Sequence, residues 1–127
     1  MIVRSLDDLK AQGRYREKPG VWSSSRYLLR DDGVGFTLTQ TTVAAGSKQI
    51  MEYLNHIEAN LIVEGEGTVT DCATGKTYPL SPGVMYTLDK HDRHELEATT
   101  DLRIVCVFTP ALVGEETHDA NGSYPVL

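Results

Sequence analysis

The sequence predicts an all-β protein, a jelly roll or closed barrel, with a short N-terminal helix and a C-terminal tail placed to act as a lid. Three observations point there. From Trp22 onward the chain runs in short segments rich in Val, Ile, Thr, Tyr and Leu whose side chains alternate in polarity. The turn-forming groups DDG, AAG, EGEG, ATG, SPG and DKHD separate them. Eight or nine strands follow at a spacing typical of barrels and jelly rolls.

Ser5 is a helix N-cap with Asp7 and Asp8 in the first turn and Gly13 just beyond the end, which predicts a helix over about 5–12, packed on the outside. Strands are predicted at 22–30, 34–43, 49–54, 57–64, 67–72, 76–80, 84–88, 94–98 and 102–109. After Pro110 the tail ALVGEETHDANGSYPVL has no period and reads as either a loose end or a lid over the barrel mouth. With 127 residues and 40% hydrophobic content there is material for one core. The layout is therefore a single domain over 1–127: helix and linker 1–20, barrel 21–109, tail 110–127.

A net charge of -6 argues against a nucleic-acid or anionic-membrane partner and favours a small molecule. The N-terminus MIVRSLDDLK lacks a signal-peptide core, and Cys72 and Cys106 read as free thiols, so a cytoplasmic protein is expected. No stretch approaches the roughly 20 apolar residues of a membrane helix.

Because side chains alternate faces along a strand, parity selects which residues meet inside a barrel. Leu102, Ile104, Cys106 and Phe108 form the better interior face of the last strand. His94, Leu96 and Ala98 point inward while Glu95 and Glu97 face water. Glu58, Asn60 and Ile62 share a face, with His56 on the same side, as do Trp22, Ser24, Arg26 and Leu28. A hairpin folded about positions 90 and 91 would set Tyr86 almost opposite His94. His91, in that charged turn, reads as merely solvated.

Gly46, Glu58 and Gly65 fall on the first cupin motif, with Glu52 and Leu54 at its histidine positions, and Gly75 and Gly83 fall on the second, with Tyr86 at its histidine position. NHIEANLIVEGEG, DCATGKTYPLSPGVMYTLDKHDRH, RIVCVFTP and HDANGSYPVL resemble the ectoine synthase family of cupins across nearly the whole chain. The resemblance implies a cytoplasmic, homodimeric hydro-lyase that cyclises N4-acetyl-L-2,4-diaminobutyrate to the osmoprotectant ectoine with loss of water. It implies iron held by Glu58, Tyr86 and His94, a donor set that also tolerates Zn or another divalent metal. It places substrate contacts at Trp22, Arg26, Thr41, Cys106 and Phe108, and catalytic groups at Tyr53, Glu116 and His118. Family members more often read HHLEA or HHFEA where this chain has NHIEA, and carry a histidine within the stretch Ser47–Ile50.

The implied chemistry assigns work to these residues. A metal would polarise the acetamide carbonyl, and a base, Tyr53 ahead of Glu116, would take a proton from the α-amine. Arg26 would pair with the substrate carboxylate, while Trp22 and Phe108 would keep the site dry. Cys106 fits a pocket wall better than a nucleophile. The alternatives are a cyclase or hydrolase of a related N-acylated diamino acid, or a ligand-binding cupin without activity.

Overall fold

The computed structural model describes residues 1–116, 118, 120 and 122–127. Helix α1 spans Leu6–Ala11 and begins with a capping box in which Ser5 and Asp8 each accept the other's backbone N–H. Only Leu9 of this helix is buried; the rest of it faces solvent. Strands follow at Tyr15–Lys18 (β1), Trp22–Leu28 (β2), Thr37–Val43 (β3), Lys48–Met51 (β4), Ile57–Glu64 (β5), Gly67–Asp71 (β6), Thr77–Leu80 (β7), Met85–Leu88 (β8), His94–Ala98 (β9) and Leu102–Thr109 (β10).

Among the described residues ten strands form two antiparallel sheets, a six-stranded one ordered β1-β2-β3-β10-β5-β8 and a four-stranded one ordered β4-β9-β6-β7. Their inner faces supply the core: Ile62, Leu102, Ile104, Cys106 and Phe108 from the larger sheet meet Met51, Val69, Leu80, Leu96 and Ala98 from the smaller. Burial alternates with period two along β5, β9 and β10, as side-chain parity requires. Gly65 has φ 89°, and a Cβ there would collide with the Asp101 carbonyl, so the turn between β5 and β6 needs glycine.

Several expectations are corrected. The segment Tyr15–Lys18 is a strand although YREK carries no apolar alternation; it forms by edge pairing with β2, Tyr15 opposite Ser25 through Lys18 opposite Trp22. The segment 89–93 does not fold Tyr86 and His94 into a hairpin. It crosses from one sheet to the other: β8 pairs with β5, whereas β9 pairs with β4 and β6. The predicted strands at 22–30, 34–43 and 49–54 are also longer than β2, β3 and β4. Arg30–Asp32 is instead a turn of 3-10 helix.

That turn anchors the N-terminus. The Asp32 carboxylate accepts hydrogen bonds from Arg4 (2.7 and 3.2 Å), Arg14 (2.8 and 3.2 Å) and the Leu29 amide (2.9 Å). The tail carries no helix or strand among its described residues, yet it is tied to the barrel. Leu112 donates to Thr37 Oγ1 and accepts from the Arg30 amide; Gly122 accepts from Glu52, and Ser123 Oγ accepts from the Leu54 amide. Gly122 also passes so close to β4 that a Cβ would strike the Ile50 carbonyl.

Candidate active site

Strand register places five residues in one row across the inner face of the larger sheet. Arg26 on β2 is opposite Thr39 on β3, which faces Cys106 on β10; Cys106 faces Asn60 on β5, and Asn60 faces Tyr86 on β8. The next inward position on β5 is Glu58, opposite Phe108. Curvature of the sheet turns this row into the wall of a cavity of about 240 Å³, whose lining includes Trp22, Arg26, Thr41, Tyr53, Glu58, Tyr86, Cys106, Phe108 and His118. Asn60 and Tyr124, which sequence reading did not select, line it as well.

Glu58 is 6% exposed and makes no ion pair among the described residues; its Oε1 accepts from the Asn60 amide at 2.9 Å. Burial raises its pKa to about 7, with Asn60 opposing only part of that rise. Burial and the neighbouring Glu58 hold the Tyr86 and Tyr53 phenols well above their usual pKa. Each of these groups would be relieved by a cation.

His94 lies behind Tyr86. It does not line the main cavity but a neighbouring recess that shares Tyr86 as a wall, with the two ring centroids 6.3 Å apart. Its Nδ1–H donates to the Asp92 carbonyl at 3.0 Å, which fixes the tautomer and leaves Nε2 with its lone pair. That nitrogen is buried with no hydrogen-bond partner among the described residues, in a residue 1% exposed. Burial lowers the imidazole's pKa, favouring the neutral, metal-binding form. No grouping of three His, Cys, Asp or Glu able to hold a metal occurs among the described residues. An orphaned imidazole nitrogen, an uncompensated carboxylate and a buried phenol fit a divalent cation.

Tyr53 follows β4, and its ring packs edge-on against Phe108 (5.4 Å) and lies 5.1 Å from the Tyr124 ring. Its hydroxyl is 2.9 Å from His118 Nε2, and the His118 ring stacks on Tyr124 at 4.5 Å. The tail thereby contributes two rings to the cavity. Arg26 is buried; one Nη donates to the Gly114 carbonyl, while Nε has no partner. Burial lowers its pKa, which Tyr124 and Glu116 partly oppose, and among the described residues no carboxylate lies within ion-pair distance of it. Cys106 is buried beside Thr41, 3.7 Å from Sγ to Oγ1, and burial pushes its thiol far up, away from nucleophilic use. Neither cysteine forms a disulfide.

Glu116 departs from its predicted place. It does not line the cavity: both oxygens are occupied by the Val113 and Gly114 amides at 2.7 Å, and these bonds together with Arg26 lower its pKa despite burial. Such a carboxylate closes a loop and is a weak proton acceptor. His56 is buried on the same side as Glu58, but against Phe108 and Tyr124 rather than in the cavity. His91 is not merely solvated, since its Nδ1–H donates to the Tyr53 carbonyl at 2.7 Å.

The family profile for ectoine synthase matches residues 1–127. The chain belongs to the ectoine synthase family. It is 50% identical over 125 residues to an L-ectoine synthase of Sphingopyxis alaskensis, covering 98% of this chain and 90% of the relative. An L-ectoine synthase of Oceanobacillus iheyensis is 48% identical and covers 100% and 98% of the two chains. Among solved structures, ectoine synthase from P. lautus superposes with a TM-score of 0.87 at 43% identity, covering 100% of this chain and 91% of that one. An RmlC-like cupin from Shewanella frigidimarina shares the fold alone, with a TM-score of 0.64 at 18% identity over 76% of this chain and 83% of that one. Family membership makes the chain a hydro-lyase acting on a small molecule. No helix among the described residues is long and apolar enough to cross a membrane.

Proposed function

We propose that the barrel cavity closes N4-acetyl-L-2,4-diaminobutyrate into ectoine, joining the α-amine to the acetamide carbon and releasing the carbonyl oxygen as water. The observation that carries this reading is the presence, in one cavity, of a buried arginine whose Nε has no partner and which makes no ion pair among the described residues, and of a buried carboxylate with no cation among them. An amino acid brings the first partner and a metal the second.

Arg26 binds the substrate carboxylate through its unsatisfied donors, and its bond to Gly114 holds the guanidinium plane in place. Glu58, Tyr86 and His94 hold the divalent metal; iron suits these oxygen and nitrogen donors, and Zn or another divalent ion is accepted. Bound there, the cation supplies Lewis acidity at the acetamide oxygen. The raised pKa of Tyr53 keeps it a phenol, so it relays a proton and His118 Nε2 receives it. Trp22, Phe108 and Tyr124 exclude water and so favour dehydration over reopening of the ring. The apolar side chains of Ile57, Leu61, Val63 and Met85 on the outer faces of β5 and β8 support a homodimer, and we place its work in the cytoplasm, in making an osmoprotectant.

Mass spectrometry of the protein with the substrate and ferrous iron under anaerobic conditions tests this. The expected product has lost one water and disappears when a chelator is added. Release of acetate instead would assign a hydrolase, no conversion would assign a binding protein, and chelator-resistant conversion would exclude the metal.

A further inference from the structure

The segment 89–93 carries a residue that the proposed chemistry leaves unused. His91 adopts φ 55°, the left-handed region that a residue with a Cβ rarely occupies, and no other residue except glycine does so among those described. The residue is exposed, yet Nδ1–H reaches back to the Tyr53 carbonyl at 2.7 Å, across 38 positions of sequence. Two residues later Arg93 approaches Glu52 at 3.9 Å, so the residues just after β4 are held to the segment 89–93 at two adjacent points.

These contacts matter because of where Tyr53 sits. It lies between β4 and β5, outside either ladder; the amides of its neighbours Glu52 and Leu54 donate to the tail, and its own carbonyl accepts from His91. Its phenol nevertheless has to meet His118 at 2.9 Å while its ring packs between Phe108 and Tyr124. The carbonyl accepting from His91 belongs to that same residue.

We propose that His91 is a positioning residue: its hydrogen bond to the Tyr53 carbonyl sets the direction of the Tyr53 phenol toward His118, and its left-handed backbone is the conformation that delivers the ring there. This rests on the proton relay proposed above. A strained residue on an exposed turn persists where the surroundings hold it, and here the bond to Tyr53 is the one made by the strained residue's own side chain.

Substitution separates donor from backbone. His91→Gly relaxes the left-handed strain but removes the donor, whereas His91→Asn tolerates that conformation and offers an amide N–H. His91→Gly is expected to lower kcat by between about tenfold and a hundredfold, with KM and bound-metal stoichiometry unchanged. His91→Asn should recover most of that loss. In a Tyr53→Phe background His91→Gly should change kcat no further, the non-additivity of residues acting through one group.

A readout without turnover is the 15N shift of His118 Nε2, identified by its loss in His118→Asn. His91→Gly should move it toward the value in Tyr53→Phe, and His91→Asn should keep it near wild type. The inference is overturned by full activity of His91→Gly, by equal loss in both variants, by loss that tracks metal content, or by an unmoved His118 shift. Failure of wild type to convert substrate, with the His118 shift behaving as described, would count against the reaction and leave the positioning intact.

Discussion

Asp32, half-buried with its carboxylate under two arginines, and Glu58, buried in the barrel, are treated in opposite ways. Asp32 is gripped by two guanidinium groups and a backbone amide, which hold its pKa well below the usual carboxylate range despite burial. Glu58 has one neutral amide for company, and burial raises its pKa to about 7. The first arrangement is complete and ties helix, 3-10 turn and first strands together. The second is incomplete at a cost to the fold, and such an imbalance is the mark of a site built to receive something.

The comparison breaks most visibly on activity. Glu58→Gln should reduce product formation on the order of 100-fold or more, because the proposed metal would lose its anionic carboxylate, while the folded state persists. Asp32→Asn should do the reverse. It leaves two arginines without their partner and should lower stability by about 3 kcal/mol, with kcat per folded molecule unchanged. Chemical denaturation alongside steady-state kinetics checks both.

Arg26→Lys gives a smaller effect. A lysine keeps the charge but loses the planar fork, so KM should rise about tenfold with kcat less affected.

The two carboxylates should also show opposite pH slopes in the metal-free protein. Asp32 has a depressed pKa in the folded state, so its contribution is present above the unfolded value near 4 and falls away as pH drops below that. Glu58 has a raised pKa, so the folded state binds the extra proton and stability declines as pH rises from about 4 to about 7. Denaturation midpoints across pH 2 to 8 should lose the acid-side slope in Asp32→Asn and the upper slope in Glu58→Gln.

How much of this was legible in the sequence follows from what a period of two encodes. Parity along 57–64, 94–98 and 102–109 identifies the inward faces that carry Glu58, His94 and Cys106, because one face of each strand must bury its apolar set. Parity does not say which sheet a strand joins. DKHD looks like a tight turn, which predicts Tyr86 and His94 as hairpin neighbours, whereas they come from different sheets with their rings 6.3 Å apart. Tyr15–Lys18 escaped because an edge strand with one partner needs no alternating pattern.

Asn60 shares the face of Glu58 and could have been chosen on that ground. Tyr124 could not, because it lies in a tail with no period, and only tertiary contacts bring it to Tyr53 and His118. The same holds for Glu116 and His91, whose roles depend on backbone groups that no side-chain pattern announces.

The most direct test is the melting order of wild type and Glu58→Gln at pH 7.5, with and without excess divalent metal. Without metal the variant should melt higher, since an uncompensated buried charge has been removed; with metal the wild type should melt higher, since only it gains the full binding energy. An unchanged order in the two conditions would contradict the claim that Glu58 is left uncompensated in order to receive a cation.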